Sequence, residues 1–182
     1  IGVRFRLPAS MNQVEYFGRG PAENYLDRNA GSMIGLYKST AEELYFPYVR
    51  PQVNGHHTDT RWVSLSAGKK GLLIQADNTI GFNALRNSIE DFDDEEATGL
   101  SRQWSNFTPE QVANHDEAAA KNVLRRQHHI NDITPCDFVE VCVDLKQQGV
   151  AGYDSWGSRP EPAYTLPANR EYNWGFTLIP LK

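Results

Sequence analysis

A tryptophan in a glycine- and proline-rich segment offers the most specific chemistry in this sequence. The segment reads GVAGYDSWGSRPEP at residues 149–162 and places Asp154 and Ser155 directly before Trp156. Glycine and proline at this density indicate a surface loop, and an exposed indole face can stack on the C–H faces of a sugar ring. Asp154 and Ser155 can fix such a loop by hydrogen-bonding local backbone amides. The alternative is that Trp156 folds back over a sheet core, and the sequence leaves both open.

A second segment, GRGPAENYLDR at residues 18–28, brings several polar side chains together in a bend. Its two glycines can adopt backbone angles that are sterically forbidden to other residues, and the ring of its proline fixes that residue's own φ angle. The polar side chains that the bend presents are Glu23, Asn24, Asp27 and Arg28. We interpret the segment as an architectural turn whose side chains bond to local backbone and pair with one another.

The other residue types that could catalyse a reaction or bind a metal show no such arrangement. The histidines occur as His56-His57, His115 and His128-His129. Adjacent residues of a strand point to opposite faces, so we expect solvated or hydrogen-bonded rings here instead of a metal site. The acidic run at residues 90–96 predicts a solvated loop, because it lacks the glycine and the ligand spacing of an EF-hand. No catalytic residue and no metal ligand is predicted.

Short apolar or alternating runs, bounded by glycine, proline and asparagine, predict a mainly all-β fold. An antiparallel β-sandwich is the architecture that many such runs indicate. One short helix is expected from an N-cap at Thr108 to about Asn122. The predicted strands are residues 3–7, 14–17, 61–65, 72–76, 80–85, 138–145 and 172–179.

The length and charge of the chain narrow the range of functions. Its 182 residues predict a single domain over residues 1–182. A net charge of −5 argues against a nucleic-acid partner, which would need a basic face. No apolar run approaches the roughly 18 residues of a membrane span. Because Ile1 opens directly on a strand-like run, we expect the chain to be a piece of a longer polypeptide.

Four segments resemble the C-terminal domain of β-galactosidases of glycoside hydrolase family two, the part called the small chain in split forms. They follow one another in the family's order along nearly the whole chain, and the first and the last are the most specific. The segments are VEYFGRGPAENYLDR (14–28), LYFPYVRPQVNGHHTDTRWVSL (44–65), SNFTPEQVANH (105–115) and GYDSW (152–156). After them, the closing strand that ends in Leu178-Ile179-Pro180 also matches the family.

The resemblance implies both a fold and an activity. The fold would be similar to the galactose-mutarotase-like supersandwich, as the C-terminal fragment of a multidomain bacterial enzyme. The activity would be retaining hydrolysis of terminal β-D-galactosides. The family's catalytic glutamates and its Mg and Na ligands belong to a central barrel, so this chain alone would be inactive and without a cofactor. Trp156 matches the family's aromatic residue, which implies that its indole stacks on bound sugar.

Two other functions also fit the sequence. One is a non-catalytic carbohydrate-binding module that uses Trp156 and Trp104. The other is a structural or oligomerisation domain, which predicts a buried Trp156. The expected partners are a galactoside and the remaining domains of the parent enzyme, with a homo-oligomer as a further option and no membrane partner. The compartment, bacterial cytoplasm or periplasm, is left open.

Overall fold

Antiparallel strands dominate the computed structural model, which describes residues 1–49, 52–92, 130, 133–154 and 156–182. The described residues form one seven-stranded sheet in the order β1-β6-β5-β4-β2-β3, with β7 also paired to β5. Every strand pair is antiparallel, so the mainly all-β fold is confirmed. The strands are β1 (Gly2–Pro8), β2 (Gln13–Gly20), β3 (Met33–Thr40), β4 (His57–Ala67), β5 (Lys70–Leu85), β6 (Phe138–Asp144) and β7 (Phe176–Leu181).

The predicted strands overlap observed ones, with three differences. The strand predicted at 172–179 begins only at Phe176, in β7. The runs at 72–76 and 80–85 are the two halves of the single long strand β5. Its first half pairs with β7 and its second half with β6, so one strand joins both parts of the sheet. The strand β3 was not predicted, because it has exposed apolar residues and a glycine instead of a clean alternation.

The core lies on one face of β2, β4 and β5. Val14 and Tyr16 of β2 stand opposite Leu65 and Val63 of β4, and Ile74 of β5 pairs with Val63. All five side chains have at most 2% of their surface exposed. Burying a side chain of this size stabilises the fold by about 1.5–3 kcal/mol. The alternation of buried and half-buried residues along β2 and β4 therefore fixes the register of the sheet.

Aromatic rings extend this core toward the end of the sheet that carries the candidate site. The ring of Tyr16 meets His57 edge-on at 4.9 Å between centroids and Phe82 at 5.1 Å. His57 and Phe82 stack on each other at 5.1 Å. Three strands thus contribute to one ring cluster, and it contacts the bend at residues 18–28 because Tyr16 and His57 both reach the Pro21 carbonyl.

The chain divides into two compact units. The first unit, residues 1–46, 54–86 and 136–182, contains the whole sheet. The second unit comprises residues 47–53 and 87–135. Its described part includes the short helix α1 (Ile89–Phe92). The Ser88 amide, just before this helix, donates to the Asp91 carboxylate at 2.7 Å. The loop predicted for the acidic run is therefore wrong at residues 90–92, which belong to this helix. The remainder of the run and the helix expected at 108–122 lie outside the described residues, and the single-domain prediction stays a prediction.

Candidate functional site

Trp156 lies on a loop after β6 and is 93% exposed. Its backbone N–H donates to the Asp154 carboxylate at 2.8 Å, so Asp154 bonds to a local amide in the way the sequence predicts. The backbone N–H of Tyr153 donates to the Ser158 hydroxyl at 3.1 Å. Ser155, the other predicted supporting residue, lies outside the described part of the chain. The loop therefore presents its indole to solvent instead of folding it over the sheet.

The backbone of this loop enters the left-handed region three times. Gly152 and Gly157 have φ angles of 83° and 81°, which glycine adopts without steric cost. Ala151 has a φ angle of 54°, which is uncommon for a residue with a side chain. Such a conformation persists only where surrounding contacts hold it.

Those contacts come from Asp27, in the bend at residues 18–28. Its carboxylate accepts the Val150 N–H at 3.0 Å and the Ala151 N–H at 2.8 Å, and the Tyr153 hydroxyl lies 3.5 Å from it. A methyl group on Gly149 would clash with the same carboxylate, so glycine at this position leaves room for the approach. The sequence interpretation missed this contact, because Asp27 and Ala151 are 124 residues apart and nothing local marks them as partners.

A second anchor and an open pocket lie next to Asp27. The Gly149 N–H donates to the Tyr164 carbonyl at 2.8 Å, in the 3-10 turn Pro162–Tyr164. Asp27 and Tyr164 also line a pocket of about 390 Å³. The pocket is lined further by Glu23, Leu26, Arg28, Asn29, Ala30, Gly31 and Ser32.

Asn24 ties the bend to β4 from a fully buried position. Its side-chain amide donates to the carbonyls of Arg19 and Ala22, both at 3.1 Å. Its side-chain oxygen accepts the N–H of Thr58 at 2.9 Å and the hydroxyl of the same residue at 2.6 Å. Asn24 therefore has an architectural role, as the sequence predicts.

Glu23 adds a second link, with its side chain 5% exposed. Its carboxylate pairs with the Arg28 guanidinium at 2.8 Å and accepts the Gly55 N–H at 2.7 Å. The Tyr25 hydroxyl donates to it at 3.2 Å. Of the four polar side chains predicted to brace the bend, Glu23, Asn24 and Arg28 do so, while Asp27 reaches the Trp156 loop.

Comparison with known proteins shows the family of this chain. The β-galactosidase small chain family matches residues 1–178. The chain belongs to the β-galactosidase small chain family. The family expected from the four sequence segments is thus confirmed.

Relatives of this small chain are bacterial and much longer than it. A protein of Priestia megaterium named beta-galactosidase is 34% identical over all 182 residues, which cover 14% of its length. One of Vibrio cholerae with the same name is 27% identical over 98% of this chain and 14% of its own length. One of Arthrobacter sp. strain B7 is 39% identical over 50% of this chain and 10% of its own. The chain thus spans about one seventh or less of these relatives.

The histidine pair of this small chain is buried and hydrogen-bonded, in agreement with the sequence interpretation. His56 donates from Nδ1 to the Asn83 side-chain oxygen at 2.7 Å, and burial lowers the pKa of His56 from 6.5 to about 4. His57 lies between the carbonyls of Gly55 and Pro21, and burial lowers its pKa as well. The ring of His56 is therefore neutral at pH 7.

The described residues contain neither a metal-binding cluster nor a membrane-spanning helix. They contain no group of three or more His, Cys, Asp or Glu side chains that could hold a metal ion. Within the same residues no helix is long and apolar enough to span a membrane. His115 and His128-His129 lie outside the described part, as does Trp104.

Proposed function

We propose that this chain is the C-terminal domain of a retaining β-galactosidase of glycoside hydrolase family two. In this proposal it supports the catalytic barrel and contributes Trp156 to the galactoside site. The small chain family and the bacterial relatives named beta-galactosidase support the parent activity. In this proposal the catalytic carboxylates belong to the barrel of the parent enzyme, and this chain alone is inactive.

The observation that carries the role of Trp156 is its exposure on an anchored loop. Tryptophan is highly buried on average, so an indole 93% exposed on a hydrogen-bonded loop is placed to meet a ligand. Stacking of this kind contributes on the order of 1–2 kcal/mol, judged from aromatic contacts in general. The family resemblance places the Mg and Na sites in the barrel. The described residues contain no group of three or more His, Cys, Asp or Glu side chains that could hold such an ion, so no step of the reaction is assigned to a metal in this chain.

Trp156→Ala in the full-length protein is expected to lower kcat/KM for lactose about 5- to 30-fold, mainly through KM. This range is the loss of about 1–2 kcal/mol of stacking. Steady-state kinetics measures it, and Trp156→Phe should recover part of the loss because a smaller aromatic face remains. Met33→Ala truncates a side chain that is 70% exposed on β3 and serves as the control with unchanged kinetics. Unchanged kinetics for Trp156→Ala would refute the role.

The exposed indole also fits a second function, a carbohydrate-binding module that serves no hydrolase site. In that case Trp156→Ala weakens binding of galactose and lactose by the full-length protein but leaves kcat/KM unchanged. Isothermal titration next to the kinetic comparison separates the two functions.

A further inference from the structure

We propose that Asp27 is a positioning residue for Trp156, acting through the backbone of the loop at residues 149–154. This inference rests on the proposed function, because it assigns Asp27 the task of holding the sugar-stacking indole in place. Asp27 touches no substrate in this proposal, and its effect on the reaction passes entirely through Trp156.

The first argument is the direction of the Asp27 contacts. Within the described residues, every hydrogen-bond partner of its side chain lies in the loop, at Val150, Ala151 and Tyr153. The two carboxylate oxygens accept two successive backbone amides, one each. A charged acceptor makes such bonds shorter and stronger than a neutral one. The hydrogen bonds of this side chain thus stabilise the loop and not the bend that carries Asp27.

The second argument is that the position of Asp27 is itself fixed. Tyr25 and Arg28 exchange backbone hydrogen bonds of 3.2 Å and 2.8 Å, so Leu26 and Asp27 form the tip of a tight reversal. Beneath this tip, the buried side chain of Asn24 bonds to β4. The carboxylate therefore projects from this hydrogen-bonded reversal toward the loop, and within the described part of the chain its side chain has no hydrogen bond to the bend itself.

The third argument is what the loop would lose without the carboxylate. Ala151 is held in the left-handed region at the point where its N–H meets Asp27. Two residues later the chain reaches Tyr153, and the Asp154 carboxylate then fixes the Trp156 amide. In this proposal the orientation of the indole depends on this series of backbone bonds, the first of which is made by Asp27 and the last by the Trp156 amide. Gly149 permits this series, because any side chain there would meet the carboxylate.

The test is Asp27→Asn in the full-length protein. An amide keeps one acceptor oxygen but turns an NH2 group toward the second backbone N–H, so one of the two bonds is lost. We expect hydrogen exchange at the amides of Val150 and Ala151 to accelerate about tenfold or more. We expect kcat/KM for lactose to fall about 3- to 10-fold, mainly through KM, the range that one lost hydrogen bond gives.

Two further variants separate positioning from general damage. In the Trp156→Ala background, Asp27→Asn should change kcat/KM less than twofold, because its effect passes through the indole. Asp27→Glu keeps two acceptor oxygens and should recover part of the loss. Glu171→Gln removes an exposed carboxylate before β7 and should leave exchange and kinetics unchanged.

Each failure has a separate meaning. Unchanged exchange at Val150 and Ala151 overturns the anchoring contact, whatever the kinetics show. Faster exchange with unchanged kcat/KM, while Trp156→Ala lowers it, overturns the positioning role and leaves the proposed function standing. A full effect of Asp27→Asn in the Trp156→Ala background also overturns it. Unchanged kinetics in Trp156→Ala itself overturns the proposed function, and the positioning role with it.

Discussion

Asn24→Ala is expected to lower the free energy of unfolding by about 3–5 kcal/mol. The substitution leaves the buried Thr58 N–H and hydroxyl without their acceptor, and it removes the donor to two part-buried carbonyls, those of Arg19 and Ala22. Each buried polar group that loses its hydrogen bond costs about 1–3 kcal/mol. Equilibrium urea unfolding measures the change as a lower midpoint with an unchanged slope.

Asn29→Ala is the matched control for this prediction. It removes the same side chain from the same region, but the only bond described for that side chain is a long one of 3.4 Å to the Thr58 hydroxyl. We expect a loss below about 1 kcal/mol. Equal losses for the two variants would show that the Asn24 bonds do not hold the bend to β4.

Acidification from pH 6.5 to 4 is expected to destabilise the fold by about 3 kcal/mol through His56 alone. The pKa of His56 falls from 6.5 to about 4 on folding because of burial, so in this interval the unfolded chain binds a proton that the folded one does not. The stability from the neutral ring is therefore complete above pH 6.5 and is lost as the pH falls toward 4. His57, whose pKa burial also lowers, adds to the loss.

Urea unfolding of the wild type and of His56→Gln across this interval isolates the effect. The variant starts less stable at pH 7 but should lose less stability on acidification, because one titrating group is gone. Asp144, 4.0 Å from His56, has a pKa raised by burial and acts in the opposite direction. Parallel pH profiles would show that His56 does not titrate on unfolding.

Most of the sheet could be predicted from the sequence because period-two alternation follows burial. In β2, the buried residues alternate with half-buried ones, as period two predicts. In β6, Val139, Val141 and Val143 are fully buried, as their spacing predicts. The wetter face expected at Glu140 and Asp144 is wrong, because both side chains are buried too. The strand β5 was divided in two because Asp77 and Asn78 are polar at its middle. Both are exposed in the intact strand, where the pairing with β4 shifts register. A local pattern cannot distinguish such an irregular stretch of strand from a turn.

The candidate site was only half predictable. The composition around Trp156 indicated a loop, but sequence alone left open whether the indole was exposed. The structure shows it 93% exposed, on a loop whose backbone bonds to the Asp27 carboxylate. Contacts across more than 120 residues leave no mark in local spacing, so the link between the bend and the loop needed the structure.

The bend at residues 18–28 thus has two roles in this protein. Glu23 and Asn24 attach it to β4 and the turn before it, which is an architectural role. Asp27 uses the resulting rigid base to hold the loop that presents Trp156. Substitutions in the bend should therefore divide into those that mainly lower stability, such as Asn24→Ala, and those that mainly alter the loop, such as Asp27→Asn.

The central claim, that Trp156 contacts the bound galactoside, is tested most directly by fluorine NMR. The full-length protein is labelled with 5-fluorotryptophan, and the Trp156 resonance is assigned by its absence in Trp156→Phe. Isopropyl β-D-thiogalactoside serves as a galactoside that is not hydrolysed. We predict that this resonance shifts on saturation and that its response to a solvent paramagnetic agent weakens as the sugar covers the indole. An unchanged, fully accessible resonance in the saturated protein would contradict the claim.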